Sequence, residues 1–291
     1  MTYGTDRRSF LQASTMAVAG IAARAVSGLA SQAEGGSSGK WYRKAVGYPM
    51  IEEGQTPEDK LRVAKEAGFE GIETPSHLLK QKTPEPQILA RASEKVGIPI
   101  HGVVNSSNPD LRAAIDEAVL YGATSVLHVV RADPEGSFMA NYHRTQETIR
   151  QAIPYAEKKR VYLLIENVWA TFLTEPLTMA RYIDELNSPW VQAYFDVGNV
   201  MRWGVPQHWI EVLGRRIKKI HIKEYNLKVA MGQGMAKGFD FPIGEGSIDW
   251  KRVCGELKKI GYHGWATAEV AGGDRRRLAE IAQQMDHVLS L

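Results

Sequence analysis

The chain is poor in cysteine: of 291 residues only Cys254 carries a thiol. That excludes an intramolecular disulfide and any cysteine-based metal site. Cys254 sits in a helical pattern, WKRVCGELKKIG, and reads as a packing residue. A Gly-rich nucleotide turn is missing too. The segment after the first strand-like run, YPMIEEGQTP, holds no GxGxxG, so a dinucleotide-binding open sheet is not expected. No apolar run is long enough to span a bilayer. Charge of one sign is also lacking. The formal net charge is +3, and the first 33 residues contribute Arg7, Arg8 and Arg24 against Asp6. The rest is nearly neutral, which gives no basic footprint for nucleic acid. The run Arg275, Arg276, Arg277 reads as a solvated helix start.

What is present at the N-terminus is an address. Arg7-Arg8 is followed by Ser9, Phe10 and Leu11, then by a mildly apolar stretch rich in small residues. This pattern predicts a twin-arginine export signal over residues 1–33, with cleavage after Ala30 or Ala33. Residues 34–40, EGGSSGK, read as a flexible linker. A periplasmic or other extracytoplasmic location follows as an expectation.

From Trp41 onward short apolar runs alternate with amphipathic helical stretches. The runs are KAVGYPMI, FEGIET, IPIHGVVN, TSVLHVV, VYLLIEN, VQAYFDVGN, IKKIHIKE and WATAEV. A helical pattern follows each. The first has Thr56 or Pro57 at its start and Gly68 just past its end, the expected asymmetry of helix punctuation. Eight such pairs in about 250 residues predict an α/β fold, a (β/α)8 TIM barrel, over residues 41–291.

Sites in such barrels form at the C-terminal ends of the strands. Glu166, Asp196, His221 and Glu269 stand where the fifth to eighth runs give out. Burying a charge there is costly unless it is paired or ligated. Three carboxylates and one imidazole on four neighbouring strands therefore suggest a divalent metal. Oxygen-rich donors with one nitrogen suit Mn²⁺ first, with Mg²⁺, Co²⁺ and Zn²⁺ as alternatives. Taken singly, Glu166 and Asp196 could also be helix caps, and Glu269 could pair with the Arg275–Arg277 run. Candidates for touching substrate are Lys223, which shares a strand face with His221, together with Asn199, Glu245, Glu73, His101 and Trp169. Glu73 is read as ending the second strand, and His128 as core. The Gly-rich segment Tyr225–Ser247 is read as a mobile lid.

Taken together, IENVW, FDVGN, HIKEYN, GEGSIDW and WATAEV resemble the xylose-isomerase-like superfamily of sugar isomerases and epimerases. The resemblance covers nearly all of residues 41–291. It implies Glu166, Asp196, His221 and Glu269 as metal ligands, with Glu166 and Glu269 also the acid/base pair. It further implies a small carbohydrate substrate, proton transfer beside its carbonyl through a cis-enediolate, and room for a homo-oligomer. An alternative within the superfamily is a lyase or hydrolase acting on 3-keto-glycosides. The sequence departs from the ketose 3-epimerase pattern at Asn199, where those enzymes place histidine, and at Leu227, where they place arginine. The resemblance therefore does not extend to their substrates. A phosphodiesterase of the endonuclease IV kind would need more histidines and a basic groove.

Overall fold

The computed structural model describes residues 40–81, 83–169 and 172–291. The expected export signal, and the linker up to residue 39, lie outside the described residues. Trp41–Leu291 forms one compact unit.

Eight parallel strands close into a barrel in sequence order. They are β1 (Tyr42–Gly47), β2 (Gly71–Pro75), β3 (Ile100–Val104), β4 (Ser125–His128), β5 (Tyr162–Glu166), β6 (Val191–Asp196), β7 (Ile217–Ile222) and β8 (Gly264–Ala268). The helices that follow are α1 (Pro57–Glu66), α2 (Pro86–Val96), α3 (Leu111–Tyr121), α4 (Phe138–Lys159), α5 (Pro176–Asp184), α6 (Val197–Val200), α7 (Pro206–Leu213), α8 (Leu227–Gln233), α9 (Trp250–Lys259) and α10 (Arg275–Leu289). The predicted barrel is the observed one. No helix among the described residues is long and apolar enough to cross a membrane.

Local chemistry explains where the helices begin and end. Thr56 caps α1 in a reciprocal box with Asp59, and Pro57 takes the first helical position. Gly68 follows at φ 99°, a conformation that favours glycine. Asp274 caps α10 through Arg277 N. Arg275 pairs with Glu53 and Glu66, while Arg276 and Arg277 reach Glu280. Cys254 is buried and its thiol donates to the Val288 carbonyl.

Period-two alternation sorts strand side chains into two layers. The outward layer, with Val126, Ile165 and Phe195, packs beneath the helices as the main core. Inside the barrel Leu127, Val129, Leu164 and Tyr194 form a small separate cluster. Among the other buried polar and charged residues are Glu73, His101, Lys219, His221 and Thr267. Two irregularities matter. Between β2 and β3 the partners step from Ile72↔Ile100 to Glu73↔Gly102, so His101 is an extra, bulged residue. Such a bulge re-aims a side chain. His101 stacks on Trp265 at 4.5 Å. Between β6 and β7 a similar step skips Lys218.

The segment read as a mobile lid carries regular structure. It carries α8, capped by Asn226 through Val229 N, and a 3-10 turn over Met235–Phe239. Its anchor is Glu224, fully buried. That carboxylate accepts from Tyr225 N, Gly244 N, Ile248 N and Trp250 Nε1. A buried carboxylate with this many donors is well satisfied.

Candidate metal centre

Glu166 and Asp196 are the last residues of β5 and β6, His221 is the fifth of β7, and Glu269 follows β8 directly. The register sets Asp196 beside His221 and Glu166 beside Tyr194. One ligand atom from each of the four residues lies within 4.8 Å of the others. His221 Nδ1 is 3.1 Å from Glu166 Oε1, 3.2 Å from Glu269 Oε2 and 3.8 Å from Asp196 Oδ2. Ligands about 2.1 Å from a shared cation stand roughly 3 Å apart when adjacent and 4.2 Å when opposite. The cluster is close to that geometry before any cation enters.

The donor set passes a second test of fit. Asp196 has no exposed surface, and its Oδ1 caps α6 by accepting from Asn199 N at 2.7 Å. Its other oxygen, Oδ2, makes no directed hydrogen bond, although the Lys223 ammonium lies 2.9 Å away. A buried carboxylate oxygen held only by a neighbouring positive charge is suited to a cation that takes the ammonium's place. The capping role and the ligand role are therefore divided between its two oxygens.

A hydrogen-bonded chain below the cluster orients the imidazole. His221 Nε2 lies 2.7 Å from Glu73 Oε2, and the Tyr194 hydroxyl donates to Glu73 Oε1 at 2.9 Å. Thr267 links Tyr194 (3.1 Å) to His101 Nε2 (3.1 Å), and Lys219 Nζ meets His101 Nδ1 at 3.1 Å. The lysine can only donate, so His101 Nδ1 accepts and its Nε2 carries the proton. Glu73 accepts from His221 Nε2–H in the same way. That leaves Nδ1 turned toward the three acids, the arrangement of a ligating histidine with a carboxylate behind it.

The charges follow from these contacts. Burial pushes the Asp196 carboxyl up to about 7, against the pull of Lys223. Burial works against a charged His221, but Glu269 and Glu73 outweigh it and hold the imidazole well above its usual range. For Glu269, His221 and Lys223 overcome burial and keep the carboxyl well below the usual carboxylate range. His101 is held well below the ordinary histidine value by burial and the neighbouring Lys219.

The residues expected to touch substrate separate into three groups. Lys223 lies in the cluster itself, 2.9 Å from Asp196 Oδ2 and 2.7 Å from Glu269 Oε2, rather than paired with Glu224 or Glu245. Asn199 is next to it, its Oδ1 3.4 Å from Lys223 Nζ and its carbonyl accepting from Trp169 Nε1 at 2.8 Å. Trp169 packs on Phe239 of the 225–247 segment. Glu73 and His101 sit lower in the barrel, behind His221. Glu73 is the middle residue of β2, not its end. Glu245 is exposed in a turn. His128, read as core, is buried at the end of β4.

Sequence reasoning missed Asn167, Tyr194 and Thr267. Asn167 makes a reciprocal pair with the Asp196 backbone, 2.8 Å in each direction. Two of the three were within reach of the period-two rule. Tyr194 precedes Asp196 by two, and Thr267 precedes Glu269 by two, so each shares its face.

Comparison with known proteins agrees with this fold. Over 123 residues the chain is 31% identical to "Putative L-ribulose-5-phosphate 3-epimerase SgbU" of Escherichia coli (strain K12), with 42% of each chain covered. The chain thus spans less than half the length of that relative. Among solved structures, D-allulose 3-epimerase from Methylomonas sp. superposes with TM-score 0.67 at 16% identity, covering 86% of this chain and 99% of the other. The 3-keto-D-glucoside 4-epimerase YcjR from E. coli gives 0.69 at 14%, covering 86% and 100%. At such identities the structures speak for the fold. The profile of one family, described as "Xylose isomerase-like TIM barrel", matches residues 61–291. The chain belongs to the xylose isomerase-like TIM barrel family.

Proposed function

We propose that the protein is a divalent-metal-dependent sugar isomerase or epimerase that moves a proton on the carbon beside a carbonyl. One observation carries this reading: two glutamates, an aspartate and a histidine converge within 4.8 Å at the ends of four neighbouring strands. Glu166, Asp196, His221 and Glu269 would hold the cation, Mn²⁺ by preference. When bound, it supplies Lewis-acid stabilisation for the charge that develops on a sugar carbonyl oxygen. Glu166 and Glu269 come from different strands, β5 and the end of β8, and serve as the acid/base pair. One takes the proton, and the other returns one from the opposite face. Lys223 donates hydrogen bonds to a substrate oxygen, and the half-buried Trp169 and Phe239 offer an apolar wall to a sugar ring. The names of the relatives, epimerases of ribulose phosphate, allulose and a keto-glucoside, support the same class of chemistry.

The test is incubation of the Mn²⁺-loaded protein with a panel of ketoses in D₂O. Deuterium should enter a carbon-bound position next to the carbonyl. Glu269→Gln should suppress the exchange. No incorporation with any ketose sinks the isomerase reading.

A second reading, elimination from 3-keto-glycosides, uses the same base. Lys223 favours it, because an ammonium beside the cluster, freed from the two carboxylates when a cation takes them, can steady a departing oxygen. Release of aglycone from a 3-keto-glycoside, with none from the parent glycoside, distinguishes it. We also propose that the twin-arginine segment delivers the folded protein outside the cytoplasm. Cell fractionation of the wild type and of an Arg7→Lys/Arg8→Lys variant tests that. Equal retention of both in the cytoplasm counts against export.

A further inference from the structure

A cavity of about 380 Å³ opens beside β4, and none of the four cluster residues lines it. Its lining includes His128 at the end of β4, Ser107 before α3, Arg131 and Asp133 in the loop after β4, and Arg144 and Thr145 on α4. Its walls have an unusual charge balance. Arg131 Nε donates to Ser107 Oγ at 3.3 Å, and Arg144 Nη2 donates to the Arg131 carbonyl and to Asn141 Oδ1. All of these acceptors are neutral. Arg131 and Arg144 appear in no salt bridge among the described residues. The acid in the wall, Asp133, turns its Oδ1 back to Glu135 N.

The floor carries an independent signal. His128 is 5% exposed and its Nδ1 has no hydrogen-bond partner. A buried polar atom without a partner costs about 1–3 kcal/mol and calls for an explanation. Leu127 faces the barrel interior, so His128 points outward, toward α4 and the cavity. Burial lowers its pKa to about 4, so near neutral pH the ring contributes a polar atom and no charge.

Two guanidinium groups without carboxylate partners, the Ser107 hydroxyl and a neutral imidazole fit a hydroxylated oxyanion better than a cation. Arginine matches the oxygens of phosphate with forked donors. A neutral ring nitrogen suits a P–OH or a sugar hydroxyl. We propose that this cavity binds a phosphate group, either free or carried on a small sugar, at a site separate from the metal cluster.

The test uses metal-free full-length protein at low ionic strength, because exposed arginines are screened by salt. Isothermal titration with inorganic phosphate, glucose 6-phosphate and gluconate reads the affinity. Arg131→Gln and Arg144→Gln should each weaken phosphate binding roughly ten- to hundredfold, the loss expected for a charge-assisted contact. Both arginines are exposed, so the variants should melt within a degree or two of wild type. Glu269→Gln should bind phosphate unchanged, which separates this site from the proposed active site. Tighter binding of glucose 6-phosphate than of free phosphate identifies the sugar-borne group as ligand, and the reverse identifies the free ion. No phosphate binding by the wild type, equal binding by the arginine variants, or a preference for gluconate overturns the proposal.

Discussion

Lys223 occupies ground that a cation would need, and replacing it with methionine should separate two energies. Its ammonium lies 2.9 Å from Asp196 Oδ2 and 2.7 Å from Glu269 Oε2. A dication on those oxygens would lie within about 4 Å of the ammonium. At an effective dielectric of 20, unit charges at that distance interact by about 4 kcal/mol, and a dication by about twice that. The lysine must therefore swing away when the metal enters. Metal binding then bears the loss of two ion pairs. Lys223→Met removes that cost, and Mn²⁺ affinity should rise by roughly ten- to a hundredfold, or about 1–3 kcal/mol. The metal-free variant should be less stable. Asp196 is fully buried, and stripping a buried charge of its partner costs about 3–5 kcal/mol. Protonation softens this, because burial already pushes its carboxyl up to about 7. A loss near 3 kcal/mol corresponds to a Tm drop of roughly 6–12 °C for a domain of this size. Mn²⁺ should restore it. The assay is a competitive chelator titration with thermal melts of metal-free and Mn²⁺-loaded protein. Unchanged or weaker Mn²⁺ binding in Lys223→Met would refute the reasoning.

Three further outcomes are expected. Glu73→Gln loosens the hold on His221 Nε2, so Mn²⁺ affinity should fall about 10- to 100-fold; unchanged affinity in the same chelator titration removes Glu73 from the site. At Gly246 an added Cβ would lie 2.3 Å from Glu224 Oε1, so Gly246→Ala should cost about 1–3 kcal/mol and speed proteolytic cutting within residues 225–247. His128 has a folded pKa lowered to about 4 from 6.5. The folded state then binds fewer protons than the unfolded one, so this contribution is complete above pH 6.5 and is lost as pH falls from 6.5 to 4. Between pH 6.5 and 5 the loss is about 1.5 kcal/mol, and His128→Phe should show a correspondingly flatter melting profile over that interval.

The barrel and the four-residue cluster were legible because both rest on one-dimensional rules. Strand and helix periods give the alternation, and strand ends give the mouth. Asp196 and His221 could be placed together because neighbouring parallel strands align their ends. Glu73 was misplaced for a related reason. Its run, FEGIET, starts two residues before β2, which begins at Gly71, so an acid near the end of the run falls mid-strand. There it points across the barrel to His221. Distances across a closed barrel are set by its closure and are not written in any local spacing. His101 turns on a bulge that only strand pairing reveals. The 225–247 segment reads as an open loop because glycine signals freedom. Gly238 and Gly246 are instead close-approach sites, where a Cβ would meet the Tyr225 ring at 2.4 Å and the Glu224 carboxylate at 2.3 Å. Glu224, which organises that segment, looks like any surface acid in HIKEYN. Lys223 was singled out for its face, but its pairing with two ligand carboxylates needs three elements in register at once.

Everything functional rests on a cation gripped at the barrel mouth. The direct measurement is electron paramagnetic resonance of free Mn²⁺ during titration into purified metal-free protein, wild type beside Asp196→Asn. One tightly held ion per chain in the wild type, lost or weakened at least tenfold in Asp196→Asn, is the predicted result. A wild-type protein that leaves all the Mn²⁺ free, or an Asp196→Asn variant that takes it up equally well, contradicts the account.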